Sequence, residues 1–181
     1  MSGLYDEMGI ADQVNAANAT LKGLRQQTMG FTHVDGSGTV TVDTGNSEYI
    51  ALQSKIAVLE GKLVTVAALK DQVSALIGGH SVPSLRALRE LAAHHQNTID
   101  SAPVRAFDLF KMKRELAIER GNAAVRLAMP SEVAALLEGY QAEEDALKAA
   151  QVASQAAIVA ISADLTTIDG MTDEARAALR D

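Results

Sequence analysis

The stretch from Tyr49 to Ile77 limits what this chain can fold into more than any other. Tyr49, Leu52, Ile56, Leu59, Leu63, Val66, Lys70, Val73 and Ile77 follow one another at alternating spacings of three and four, and all but Lys70 are apolar. That rhythm lines them along one side of a helix and predicts a coiled-coil seam for oligomerisation. With Tyr49, Ile56, Leu63, Lys70 and Ile77 at a and Leu52, Leu59, Val66 and Val73 at d, Lys55 is a g residue and Glu60 an e residue of the next heptad. Two parallel copies would pair them across the seam. The same stripe also suits packing against the rest of its own chain, and Leu69 and Leu76, which widen it, favour that alternative.

Composition points to helices in close contact rather than to a thick core. The chain has 181 residues with three Phe, three Tyr and no Trp, against 32 Ala. Alanine has the highest helix propensity and buries little area. A net charge of -7 argues against nucleic acid as a partner, because phosphate contacts need clustered Lys and Arg. The absence of Cys excludes disulfides and thiolate metal ligation. No uninterrupted apolar run approaches the roughly 18 residues of a membrane span, and the opening Met1-Ser2-Gly3-Leu4-Tyr5-Asp6 lacks a signal-peptide pattern. The expectation is a protein without a membrane segment, virion-borne or cytoplasmic.

Along the chain, Ile10, Val14, Ala17, Leu21 and Leu24 predict one helix over about Leu4 to Thr28, in the same heptad frame as the central stretch. Between the two, Asp35-Gly36-Ser37-Gly38 and Asp43-Thr44-Gly45-Asn46 are turn chemistry around the alternating Thr39-Val40-Thr41-Val42. A strand there needs a partner, either Phe31 to Val34 or another subunit. Asn46 or Ser47 is placed to cap the central helix, and Gly78-Gly79 to end it as a hinge. Ser81 and Pro83 open a helix whose face holds Leu85, Leu88, Ala92, His95 and Ile99. Ser101 and Pro103 mark a further start, leading to Met129 with a break at Gly121-Asn122. Pro130 and Ser131 open the longest helix, whose Ala146, Ala149, Ala150, Ala153, Ala157 and Ala160 form a face for close helix approach. An Asp169-Gly170 turn and a Thr172 cap then precede a short last helix. Residues 103–129 carry six basic and three acidic side chains, and residues 131–181 three basic and ten acidic, which favours pairing the two as an antiparallel hairpin.

Chemistry-bearing patterns are scarce. His94 and His95 are adjacent and point about 100° apart, so one metal cannot take both from one helix face. His33 and His80 belong to no ligand spacing, and His95 reads as a packed core histidine. The Gly-rich segment before the central helix lacks the Gly-Lys-Ser/Thr ending of a phosphate loop, and no nucleophile elbow occurs. Glu143-Glu144-Asp145 reads as a solvated face rather than an acid/base pair, and Lys111, Lys113 and Arg114 as facing Glu132, Glu138 and the rest of the acidic helix. No catalytic residue, cofactor or metal site is expected, and no enzymatic activity.

A short helix, a Gly/Thr/Val-rich β segment, a coiled coil and a helical domain resemble the layout of coiled-coil fibre, spike or collar proteins of tailed-phage virions. The resemblance lies over residues 29–79. It implies a non-enzymatic structural protein, a homo-oligomer with a trimer favoured over a dimer, attached to other protein subunits of a particle. The alternative is a helical adaptor or assembly chaperone that binds a client protein. The expected fold is mainly α and elongated, with a central coiled coil, a small β segment and a C-terminal helical hairpin or bundle. Its segments are 1–46, 47–79 and 80–181.

Overall fold

The computed structural model describes residues 3–126 and 130–180, with side chains placed for 3–119 and 134–180. The protein is mainly helical: α1 (Leu4–Glu7), α2 (Ala11–Met29), β1 (Thr32–Val34), β2 (Val40–Val42), α3 (Ser47–Gly79), α4 (Leu85–Arg126) and α5 (Pro130–Arg180). The chain divides into two compact units, residues 1–86 with 164–181, and residues 87–163. The sequence-derived boundaries at 46/47 and 79/80 both fall inside the first.

In the first unit α2 and α3 pack as an antiparallel pair. Val14 and Leu21 of α2 are buried, as are Leu52, Ile56, Val66, Val73 and Ile77 of α3. Arg25 reaches across to Glu60 at 2.7 Å. The β segment that joins them is a hairpin within the chain, pairing Thr32 with Val42, His33 with Thr41 and Val34 with Val40. Asp35 builds its turn: one carboxylate oxygen accepts the backbone N–H groups of Ser37 at 2.9 Å and Thr39 at 2.8 Å. The Ser37 hydroxyl also donates to it, and these bonds, the hydroxyl's first, hold the Asp35 carboxyl below its usual pKa. Asn46 then caps α3, its Oδ1 accepting from the N–H of Glu48 at 2.8 Å and of Tyr49 at 3.4 Å.

The single helix expected over Leu4 to Thr28 is instead two. Gly9 sits at φ 69°, a left-handed conformation that ends α1 and lets Met8 and Ile10 turn inward to full burial. Polar contacts from two later helices converge on this turn. Glu7 accepts the Leu85 backbone N–H at 2.9 Å, satisfying a donor at the start of α4, and Arg176 donates to the Met8 carbonyl at 2.8 Å. Lys70 stands 4.6 Å from the centre of the Tyr5 ring. Burial, followed by the Asp71 carboxylate, raises the Tyr5 phenol above its usual pKa.

Gly78 and Gly79 close α3, as the last two residues of its helix. Neither takes a positive φ; the left-handed residue is Ser81, at φ 57°. The chain leaves the helix through Ser81, whose N–H bonds the Gly78 carbonyl at 2.9 Å. His80, just past the end, lies 2.7 Å from Asp164.

Three expected interruptions of the later helices are absent. α4 runs unbroken through Ser101-Pro103 and Gly121-Asn122, and α5 through Asp169-Gly170. Pro103 forfeits one backbone hydrogen bond, a cost of about 3 kcal/mol. Leu88 and Ala102 before it and Leu109 and Leu116 after it are buried along one continuous stripe, and each Leu contributes about 1.5–3 kcal/mol. Burial therefore outweighs the proline. Likewise Ile168, Thr172 and Ala175 are buried on consecutive turns, and the Thr172 hydroxyl donates back to the Ile168 carbonyl at 2.8 Å instead of capping a new helix. Leu127 and Met129, which close the segment read from the sequence, lie outside the described residues.

Candidate interaction surfaces

The predicted seam turns inward. Leu52, Ile56, Val66, Val73 and Ile77 are buried, and Tyr49, Leu59, Leu63 and Lys70 half-buried, all within one chain. Its polar position has a partner there, since Lys70 covers the Tyr5 ring. Tyr49 meets the Phe31 ring edge-on with centroids 5.9 Å apart. Glu60, expected to meet Lys55 of another copy, is held by Arg25 of α2.

The opposite side of α3 was not singled out by its periodicity, and it is unlike an ordinary solvent face. Ile50, Val58 and Val64 are 52%, 61% and 69% exposed. Between them lie Ala51, Ser54, Ala57, Gly61, Thr65 and Ala68, so no charged side chain interrupts this face over 50–68. Lys55 and Lys62 edge it on one side and Glu60 on the other. A helix that is apolar all round is normally covered on all sides. The hairpin adds Val34, Val40 and Val42, all exposed on one face of a two-stranded sheet.

In the second unit α4 and α5 run antiparallel, with His95 Nδ1 3.2 Å from the Ser154 hydroxyl, Arg105 paired with Glu143, and Lys113 bonded to Glu144 and to Gln141. His95 is thus a half-buried polar pair in the helix interface. Glu144 also takes Lys148 at 2.7 Å, and these bonds, that of Lys113 first, lower its carboxyl to about 2. The acidic cluster is therefore an ion-pair partner of α4. Lys113 meets the acidic helix, as expected, at Gln141 and Glu144; the Glu132 side chain lies outside those described.

The inward stripe of α5 is Leu147, Gln151, Ser154, Ile158, Ile161, Leu165, Ile168, Thr172 and Ala175, again at spacings of three and four. Most of the alanine face expected to receive a neighbouring helix points out instead: Ala146, Ala149, Ala150, Ala153 and Ala160 are exposed and only Ala157 is half-buried, with Val152 and Val159 at 70% and 63% exposed. By length and composition alone, α5 is apolar enough to cross a membrane, with a window of mean hydropathy 1.3 within Ala134–Arg180. On α4, Val104, Phe107 and Phe110 are exposed, and Lys111 lies 4.6 Å over the Phe107 ring. A groove of about 350 Å³ beside Phe110 is lined by Ala102, Pro103, Ala106, Leu147 and the Lys113–Glu144–Lys148 ions.

Among the described residues no three His, Asp or Glu side chains gather as a metal site. No protein-family model, curated protein or solved structure matches the chain.

Proposed function

We propose that this chain is a non-enzymatic structural protein that associates with copies of itself inside a larger assembly. The observation that carries the reading is the uncharged outward face of α3, where Ile50, Val58 and Val64 stay exposed on a helix whose other side is already buried. Contiguous exposed apolar surface of this kind marks protein contacts. The layout over residues 29–79 makes the virion of a tailed phage the proposed setting, as a fibre, spike or collar component.

A second reading, a helical adaptor that grips a client protein, draws on the groove beside Phe110, whose apolar lining and ionic rim suit one anchoring side chain of a partner helix. Light scattering separates the two. Self-assembly gives a molar mass that is a multiple of 19.0 kDa at micromolar concentration. A monomer persisting at about 100 micromolar would remove the structural reading and leave the adaptor.

A further inference from the structure

We infer that the occupant of α3's outward face is the same face of a second copy, with the two α3 helices parallel and in register. The inference rests on the self-association proposed above and names its interface, which is distinct from the seam of Tyr49 to Ile77. That seam is spent on α2 within the chain, so a further copy meets what remains.

Three features select the partner. First, Ile50, Val58 and Val64 alternate with Ala57, Gly61 and Ala68, so bulky side chains of one helix have shallow positions on an identical helix to enter. A Cβ built on Gly61 has nothing within 4 Å, so the centre of the face is open. Second, the face is bounded by unlike edges, with the cations Lys55 and Lys62 along one and the Arg25–Glu60 ion pair along the other. Among the described residues neither lysine has an acidic partner in its own chain.

Third, these edges discriminate between orientations. Two parallel copies bring the lysine edge of each against the Glu60 edge of the other, where the carboxylate held by Arg25 is still 43% exposed and can take a second cation. An antiparallel pair sets Lys55 and Lys62 against the lysines of its partner and Glu60 against Glu60. Like charges in direct apposition repel and disfavour that arrangement, so parallel pairing is the complementary choice. A membrane is a poorer occupant, because two lysines without acidic partners and the Arg25–Glu60 ion pair flank so narrow a face and would be drawn into the headgroup boundary.

The chain contains no cysteine, so one can be introduced as a reporter. In a parallel, in-register pair residue 61 meets its own copy, within the Cα separation of about 4.4–6.8 Å that a disulfide spans. Under mild oxidation Gly61→Cys should form covalent dimers for most of the protein. Lys111→Cys, on an exposed position of α4, should form few. If Gly61→Cys stays uncross-linked while the unmodified chain has a multimeric mass, this interface is wrong and self-association stands. If the unmodified chain is a monomer, both fall. Equal cross-linking of the two variants would mean random collision and would also overturn the assignment.

Discussion

Val73 and Val64 lie on one helix, nine positions apart, and differ in what surrounds them: Val73 is 0% exposed and Val64 69%. Replacing Val73 with Ala removes two methyl groups from the interior, a loss of about 1.6 kcal/mol at about 0.8 kcal/mol each. A residual hole of roughly 30 Å³ adds about 0.7 kcal/mol at about 24 cal/mol per Å³. Alanine's better helix propensity returns about 0.5 kcal/mol, leaving a net cost near 2 kcal/mol. For Val64→Ala only about a third of the transfer term applies, roughly 0.5 kcal/mol, and the propensity gain cancels it. The assay is urea unfolding followed by helical circular dichroism at submicromolar concentration, where contacts between copies are diluted away. With a slope of about 2 kcal/mol per molar, Val73→Ala should lower the midpoint by about 1 M and Val64→Ala should leave it in place. Equal midpoints for the two variants, or a larger loss at Val64, would refute the assignment of an inner and an outer face.

Other substitutions test separate parts of the account. Pro103→Ala should restore the hydrogen bond to the Ile99 carbonyl and raise stability by about 1–3 kcal/mol, read as a higher urea midpoint with helix content unchanged or slightly increased. Gly9→Ala should cost about 1–2 kcal/mol, since φ is 69° and the new Cβ meets Arg176 at 3.2 Å, whereas Gly79→Ala, with open space around it, should stabilise by about 0.5–1 kcal/mol. The Glu144 carboxyl is lowered from 4.5 to about 2, so the stability it contributes is complete above pH 4.5 and is lost as pH falls towards 2. The unmodified chain should accordingly melt above Glu144→Gln at pH 7, with the gap closing between pH 4.5 and 2.

Much of the local structure was legible because single residues dictate it. Asn46 caps a helix by its side-chain oxygen, and Asp35 folds a turn by accepting two backbone N–H groups; both effects act within four residues and need no tertiary context. At Pro103 and Gly170 the helix continues because a breaker's cost is local and fixed, while the burial that overrides it is summed over a whole stripe. A signal for that stripe was present. Leu85, Leu88, Ala92, His95 and Ile99 continue at the same spacing through Ala102, Ala106, Leu109, Lys113 and Leu116, across the proline.

On α5 the alanines drew attention through their number. Leu147, Ile158, Ile161, Leu165 and Ile168 keep the spacing of three and four and bury more area. The seam of α3 was legible as a stripe, but periodicity says only that a face is covered, not by what. Its cover within the chain is α2, whose Val14 and Leu21 share the same frame. The outward face has no rhythm of its own; its signal is a lack of charge over 50–68.

The most direct test of the central claim, that one side of α3 folds the chain and the other joins copies, is sedimentation equilibrium of the Val58→Asp, Val64→Asp double variant. Two carboxylates on an exposed face leave the monomer intact, whereas inside an interface each would be buried without a partner. The account predicts a 19.0 kDa species with the helix content and urea midpoint of the dissociated parent. A double variant that sediments at the parent's multimeric mass, or one that is monomeric only because it has unfolded, would contradict it.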